Sequence, residues 1–117
     1  MTSHCAPMDV VTMRETIARL LGEDAEPPSP EELETLLMLL RGHLMVTIPE
    51  VATASLRLDD KHPHRSCANA CIGEARMKLN AEPSGNSLPA GIAYAQKLAR
   101  VLEALLNHLE KIEGGEQ

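Results

Sequence analysis

Apolar residues fall at spacings of three and four along most of this chain, the period of a helix packed on one side. The first such stretch runs from Asp9 to Gly22, with Val10, Met13, Ile17, Leu20 and Leu21 on one stripe and Gly22 where a C-terminal cap belongs. The acidic, proline-rich "EDAEPPSP" follows and cannot extend a helix. Ser29-Pro30-Glu31-Glu32 then offers an N-cap hydroxyl, a proline at the first helical position and acids in the first turn.

The second stretch, "LETLLMLLRGHLMVTI", is apolar on most sides between Leu36 and Leu40, the pattern of a central helix buried by several neighbours. Pro49 removes a backbone donor and clashes with the preceding turn, which predicts a kink or break near Thr47 and Ile48 and a resumed helix over Val51 to Leu58. A polar turn covers Asp59 to His64. Pro63 opens a third helix, Arg65 to about Ala81, and "EPSGNS" closes it. A fourth runs from about Pro89 to Ile112, its stripe carried by Ile92, Ala95, Leu98, Ala99, Leu102, Leu105, Leu106 and Leu109. The expected fold is all-α, a four-helix, mainly antiparallel bundle. Residues 9–112 form its single domain, with a flexible N-terminus at 1–8 and a frayed tail at 113–117.

Composition narrows the function. The 117 residues hold one Tyr and neither Phe nor Trp, so the core is aliphatic and no base-stacking platform is available. A net charge of -6 disfavours nucleic-acid binding. The charge is uneven: Asp9 to Glu34 holds eight acids against Arg14 and Arg19, whereas Arg65 to Arg100 holds five bases against Glu74 and Glu82. Arg76, Lys78, Lys97 and Arg100 are therefore candidates for a small basic patch, weighed against a solvated face. No apolar run suits a signal peptide or a membrane span, and three cysteines fit a reducing compartment, so a cytoplasmic location is expected.

The densest chemistry lies in "HPHRSCANACIGEAR". His64, Cys67 and Cys71 fall at i, i+3 and i+7 on one helical face, and thiolate and imidazole are zinc ligands. A fourth ligand would come from His62, another helix, or His4 and Cys5 if the N-terminus folded back. Only one cysteine pair exists, however, and its spacing is neither that of a zinc knuckle nor that of a redox motif. The simpler reading is an apolar stripe of Ala68, Cys71, Ile72, Ala75 and Leu79 in which cysteine is a small core residue. His43 and His108 border apolar stripes and read as hydrogen-bonded edge residues rather than general bases. The acidic connector reads as solvent-facing, and Met38 and Met45 as core filler or the lining of an adaptable groove. No nucleophile elbow or phosphate loop is present.

Taken together, "LLRGHLMVTIPEV", "CANACIGEARMKL" and "AYAQKLARVLEALLNHLE" resemble a family of small helical proteins from streptomycetes and related actinomycetes labelled "natural product biosynthesis protein", a domain of unknown function. The resemblance covers roughly Met13 to Glu110. It implies a setting around secondary metabolism or its regulation, and no reaction or site residue.

The reading that follows is a non-enzymatic helical module that binds a protein partner, a second copy of itself, or both, away from membranes and nucleic acid. The alternative is a small-molecule or metal-binding bundle, an enzyme included, that uses His64, Cys67 and Cys71 around zinc, with His43 or His108 as remote contributors.

Overall fold

The computed structural model describes residues 8–83 and 85–114. Four helices make up the fold: α1 (Val10–Leu21), α2 (Pro30–Ser55), α3 (Pro63–Asn80) and α4 (Leu88–Glu113). The expected N-terminal segment and tail fall mostly outside the described residues.

Each helix starts where a side chain satisfies a free backbone N–H, because the first turn has no intrahelical acceptor. Asp9 accepts from the Thr12 amide at 3.1 Å and from its hydroxyl at 2.6 Å. Ser29 accepts from the Glu32 amide at 3.1 Å and Ser87 from the Ala90 amide at 3.2 Å. His62 performs this task for α3, its Nδ1 accepting from the His64 amide at 3.1 Å. Gly22 closes α1 by donating to the Ala18 carbonyl at 2.8 Å.

α2 continues through Pro49 to Ser55, so of the kink or break expected there, the break does not occur. Pro49 is exposed, as is Met45 one turn earlier. The carbonyl that loses its intrahelical donor is that of Met45, on the side open to water, which takes the donor's place. α2 also ends sooner than expected, with Leu56 as its C-terminal cap.

Side-chain contacts fix the directions of the helices. Arg14 near the start of α1 reaches Glu110 near the end of α4, and Arg19 near the end of α1 reaches Glu32 at the start of α2. Ser55 at the end of α2 meets Asn69 in α3, and Tyr94 in α4 meets the last carbonyls of α3. Neighbours in sequence are thus antiparallel. α2 and α4 start side by side, with Leu33 against Gly91, and run parallel.

The arrangement is a spine with two flanks. α2 and α4 each pack on all three other helices, whereas α1 and α3 do not touch each other. The stripe read on α4 is the core: Leu98, Leu102 and Leu105 are fully buried, against Leu40, Leu44 and Val51 of α2. The expectation that α2 is packed by several neighbours holds, but its outer side, with Met38 and Met45, stays exposed.

Candidate functional site

The cysteine and histidine stretch is drawn apart by the helix that carries it. Cys71 is buried, while Cys67, one turn earlier, is exposed. Burial pushes the Cys71 thiol up, and Glu74 adds to this, so the group is held as a thiol rather than as the reactive thiolate. His62 serves as the cap of α3, its ring 5.1 Å from that of His64. Among the described residues, no three His, Cys, Asp or Glu side chains gather closely enough to hold a metal ion. His4 and Cys5, offered as completing a ligand set if the N-terminus folded back, lie outside the described residues.

The other histidines sit at helix contacts. His43 Nε2 lies 3.2 Å from Thr16 Oγ1 between α2 and α1. His108 on α4 is half-buried, and burial lowers its pKa, with Lys111 and His64 acting in the same direction.

The acidic connector is tied down by one cation. Arg19 donates to both carboxylate oxygens of Glu32 at 2.6 Å and to the Glu26 carbonyl at 2.7 Å, which clasps the end of α1 to the start of α2. A concavity of about 490 Å³ opens over this connector, but its one cation is Arg19, whose guanidinium is already engaged.

The outer side of α2 is different. Met38, Leu39, Met45, Val46 and Leu56 are all exposed there, Met38 at 72% and Met45 at 69%. Gly42 and Pro49 lie among them and are exposed too. Gly42, Pro49 and Leu56 recur at seven residues, as do Met38 and Met45, and Leu39 and Val46. A seven-residue repeat is the period of a helix–helix seam. Glu34 and Arg41 border one edge of this seam, Glu50 and Arg57 the other. Sequence reasoning singled out Met38 and Met45, which are exposed rather than core filler, read Pro49 only as a helix breaker, and missed Leu39, Val46 and Leu56. The seven-residue repeat, offset from the buried stripe, was the available signal.

By length and composition α2 is also long and apolar enough to cross a membrane, with a mean hydropathy of 1.3 over an 18-residue window, of which 33% is buried. That corrects the reading that no segment reaches this threshold.

Elsewhere on the surface, Lys78, Lys97 and Arg100 of the expected basic patch line one cleft between α3 and α4. Arg76, two residues from Lys78 and therefore on another side of α3, is not among its walls.

Fold and surface together define a small helical bundle with one apolar helix face left unpartnered. The chain belongs to a Family of unknown function (DUF6415), which matches residues 11–114. No curated protein and no solved structure matches it.

Proposed function

We propose that this protein is a non-enzymatic interaction module that pairs with a second copy of itself through the outer face of α2. The observation that carries this reading is the exposed seam of Met38, Leu39, Met45, Val46 and Leu56. Fully burying each such side chain is worth about 1.5–3 kcal/mol, so leaving a row of them in water is costly.

Several features favour a second copy. The seam spans 22 residues from Thr35 to Leu56, about 32 Å at 1.5 Å per residue. An antiparallel copy with its dyad between Met45 and Val46 sets Gly42 opposite Pro49 and covers the whole row. No atom lies within 4 Å of where a Gly42 Cβ would be, so a facing helix can come close at that point. The seam edges carry both signs, Glu34 with Arg41 and Glu50 with Arg57, so the interface gathers little of the chain's -6 charge. Charges of both signs flanking an apolar seam are also what helix–helix pairs use to set partner and orientation. The resemblance of the sequence supports a cytoplasmic setting around actinomycete secondary metabolism.

Sedimentation across a range of concentrations tests the proposal. A species of twice 12.7 kDa is expected at micromolar protein, strengthened by salt as the like net charges are screened. A Met38→Glu, Met45→Glu variant, with helicity checked by circular dichroism, is expected to remain monomeric. A wild-type monomer at all concentrations overturns the proposal, and so does flotation of that monomer with phosphatidylcholine vesicles, which would assign the seam to lipid.

A further inference from the structure

A second feature of the surface, independent of the α2 seam, lies between α3 and α4. The cleft there has a volume of about 270 Å³ and is walled by Glu74, Lys78, Lys97, Arg100, Val101 and Ala104. Lys97, Arg100, Val101 and Ala104 sit at i, i+3, i+4 and i+7, one face of α4, and Glu74 and Lys78 at i and i+4 face them from α3. Val101 is buried and Ala104 half-buried, so the floor is apolar. Lys97 and Arg100 are exposed at the rim, and Lys78 is half-buried.

Charge decides what fits. Three cations meet one carboxylate, in a chain that carries -6 overall. Lys78 Nζ stands 3.9 Å from Glu74 Oε2, too far for a strong pair, and the set keeps an excess of two positive charges. A phosphate monoester carries about -1.5 to -2 charges at neutral pH and matches that excess, which a single carboxylate does not. Arg100 supplies a planar fork for two phosphate oxygens, and the lysines supply rotatable donors. The cleft volume suits a small molecule rather than a polymer.

We propose that this cleft binds a small organic phosphate monoester, its phosphate held by Lys78, Lys97 and Arg100 and its apolar part resting on Val101 and Ala104. Neither ligand nor site depends on self-association through α2, and the two surfaces lie on different helices.

Amide chemical shifts of the full chain, titrated with phenyl phosphate at constant ionic strength, provide the test. Saturable shifts are expected at residues 74–78 and 97–104. Inorganic phosphate, which cannot use the apolar floor, is expected to bind more weakly. Arg100→Ala is expected to lose about tenfold or more in affinity, the loss expected for hydrogen bonds to a charged group. Glu74→Gln, which removes the one repelling charge, is expected to tighten binding. Lys111→Ala, a cation of α4 outside the cleft, is expected to change nothing. Shifts that fail to saturate, phenyl phosphate binding no tighter than inorganic phosphate, or equal losses in Lys111→Ala and Arg100→Ala would each overturn the proposal. Comparable shifts from a single-stranded oligonucleotide would do so too, since they would show a charged surface rather than a small-molecule site.

Discussion

His43 on α2 and Thr16 on α1 share a hydrogen bond whose direction is fixed by a third group. Thr16 Oγ1 donates its only proton to the Thr12 carbonyl at 3.0 Å, so it must accept from His43 Nε2 at 3.2 Å. The neutral imidazole satisfies this geometry with its proton on Nε2. Charging the ring adds no bond to Thr16 and must overcome burial.

That burial lowers the pKa of His43, opposed in part by the negative charge of Asp9, and burial lowers His108 in the same way. An unfolded histidine titrates near pH 6.5. Between that value and the lower folded one, the unfolded chain holds more protons, so stability rises with pH. The contribution is in place above about pH 6.5 and is lost as pH falls through the folded value. Urea midpoints are therefore expected to drop between pH 7.5 and 5. His43→Gln keeps an N–H donor without titrating and is expected to flatten part of that slope; an unchanged slope would remove His43 from the account.

Tyr94 ties α4 to the end of α3. Its hydroxyl lies 2.9 Å from the Lys78 carbonyl, which also accepts from the Ala81 amide at 3.3 Å, and 3.0 Å from the Ala81 carbonyl. The guanidinium of Arg41 sits 5.7 Å from its ring centroid. Tyr94→Phe keeps the ring but removes the one proton the hydroxyl gives to these carbonyls, at an expected cost of about 0.5–1.5 kcal/mol. Chemical denaturation followed by circular dichroism measures it, since the substitution removes the chain's one tyrosine.

Two glycines inside helices should respond differently to alanine. At Gly73 nothing stands within 4 Å of a new Cβ, and Gly73→Ala is expected to stabilise by about 0.5–1 kcal/mol through helix propensity. At Gly91 the Cβ would fall 2.8 Å from Leu33 Cδ2, in the parallel α2–α4 contact. Leu33 must shift, which offsets the gain, so Gly91→Ala is expected to be neutral or destabilising. Equal effects at the two sites would contradict the packing described.

The core and the seam predict opposite signatures. Leu102 is fully buried in α4, and Leu102→Ala is expected to cost about 2–5 kcal/mol of folding stability. Met45 touches water, and Met45→Ala is expected to change monomer stability by no more than about 0.5 kcal/mol while weakening self-association. Thermal unfolding of dilute protein, compared with sedimentation, separates the two.

The helix ends were legible because caps are local chemistry. Asp9, Gly22 and Ser29 act where they stand in the sequence, whatever the rest of the chain does. The open side of α2 was hard to read, because "LLMLL" is apolar in every direction and masks the seven-residue repeat, so that the placing of the neighbouring helices decides which side stays wet. Pro49 shows the same limit: the rule that proline interrupts a helix is local, but its outcome depends on the side that proline faces. Cys67 and Cys71 share a broad face, yet one turn on a narrow stripe separates water from core. The charge asymmetry revealed the basic set, and only the crossing of α3 and α4 selected Lys78, Lys97 and Arg100 over Arg76.

Pro49 has a further consequence for the chain before it folds, or whenever α2 opens. The segment "LMVTI", Leu44 to Ile48, places three β-branched residues in an apolar run. Such a run is a template for strand pairing between molecules. Proline directly after it donates no hydrogen bond to a ladder, and Glu50 adds charge, so the run is stopped from growing into a longer strand. The residue that strains the helix thus acts as a gatekeeper against aggregation at the most adhesive part of the surface.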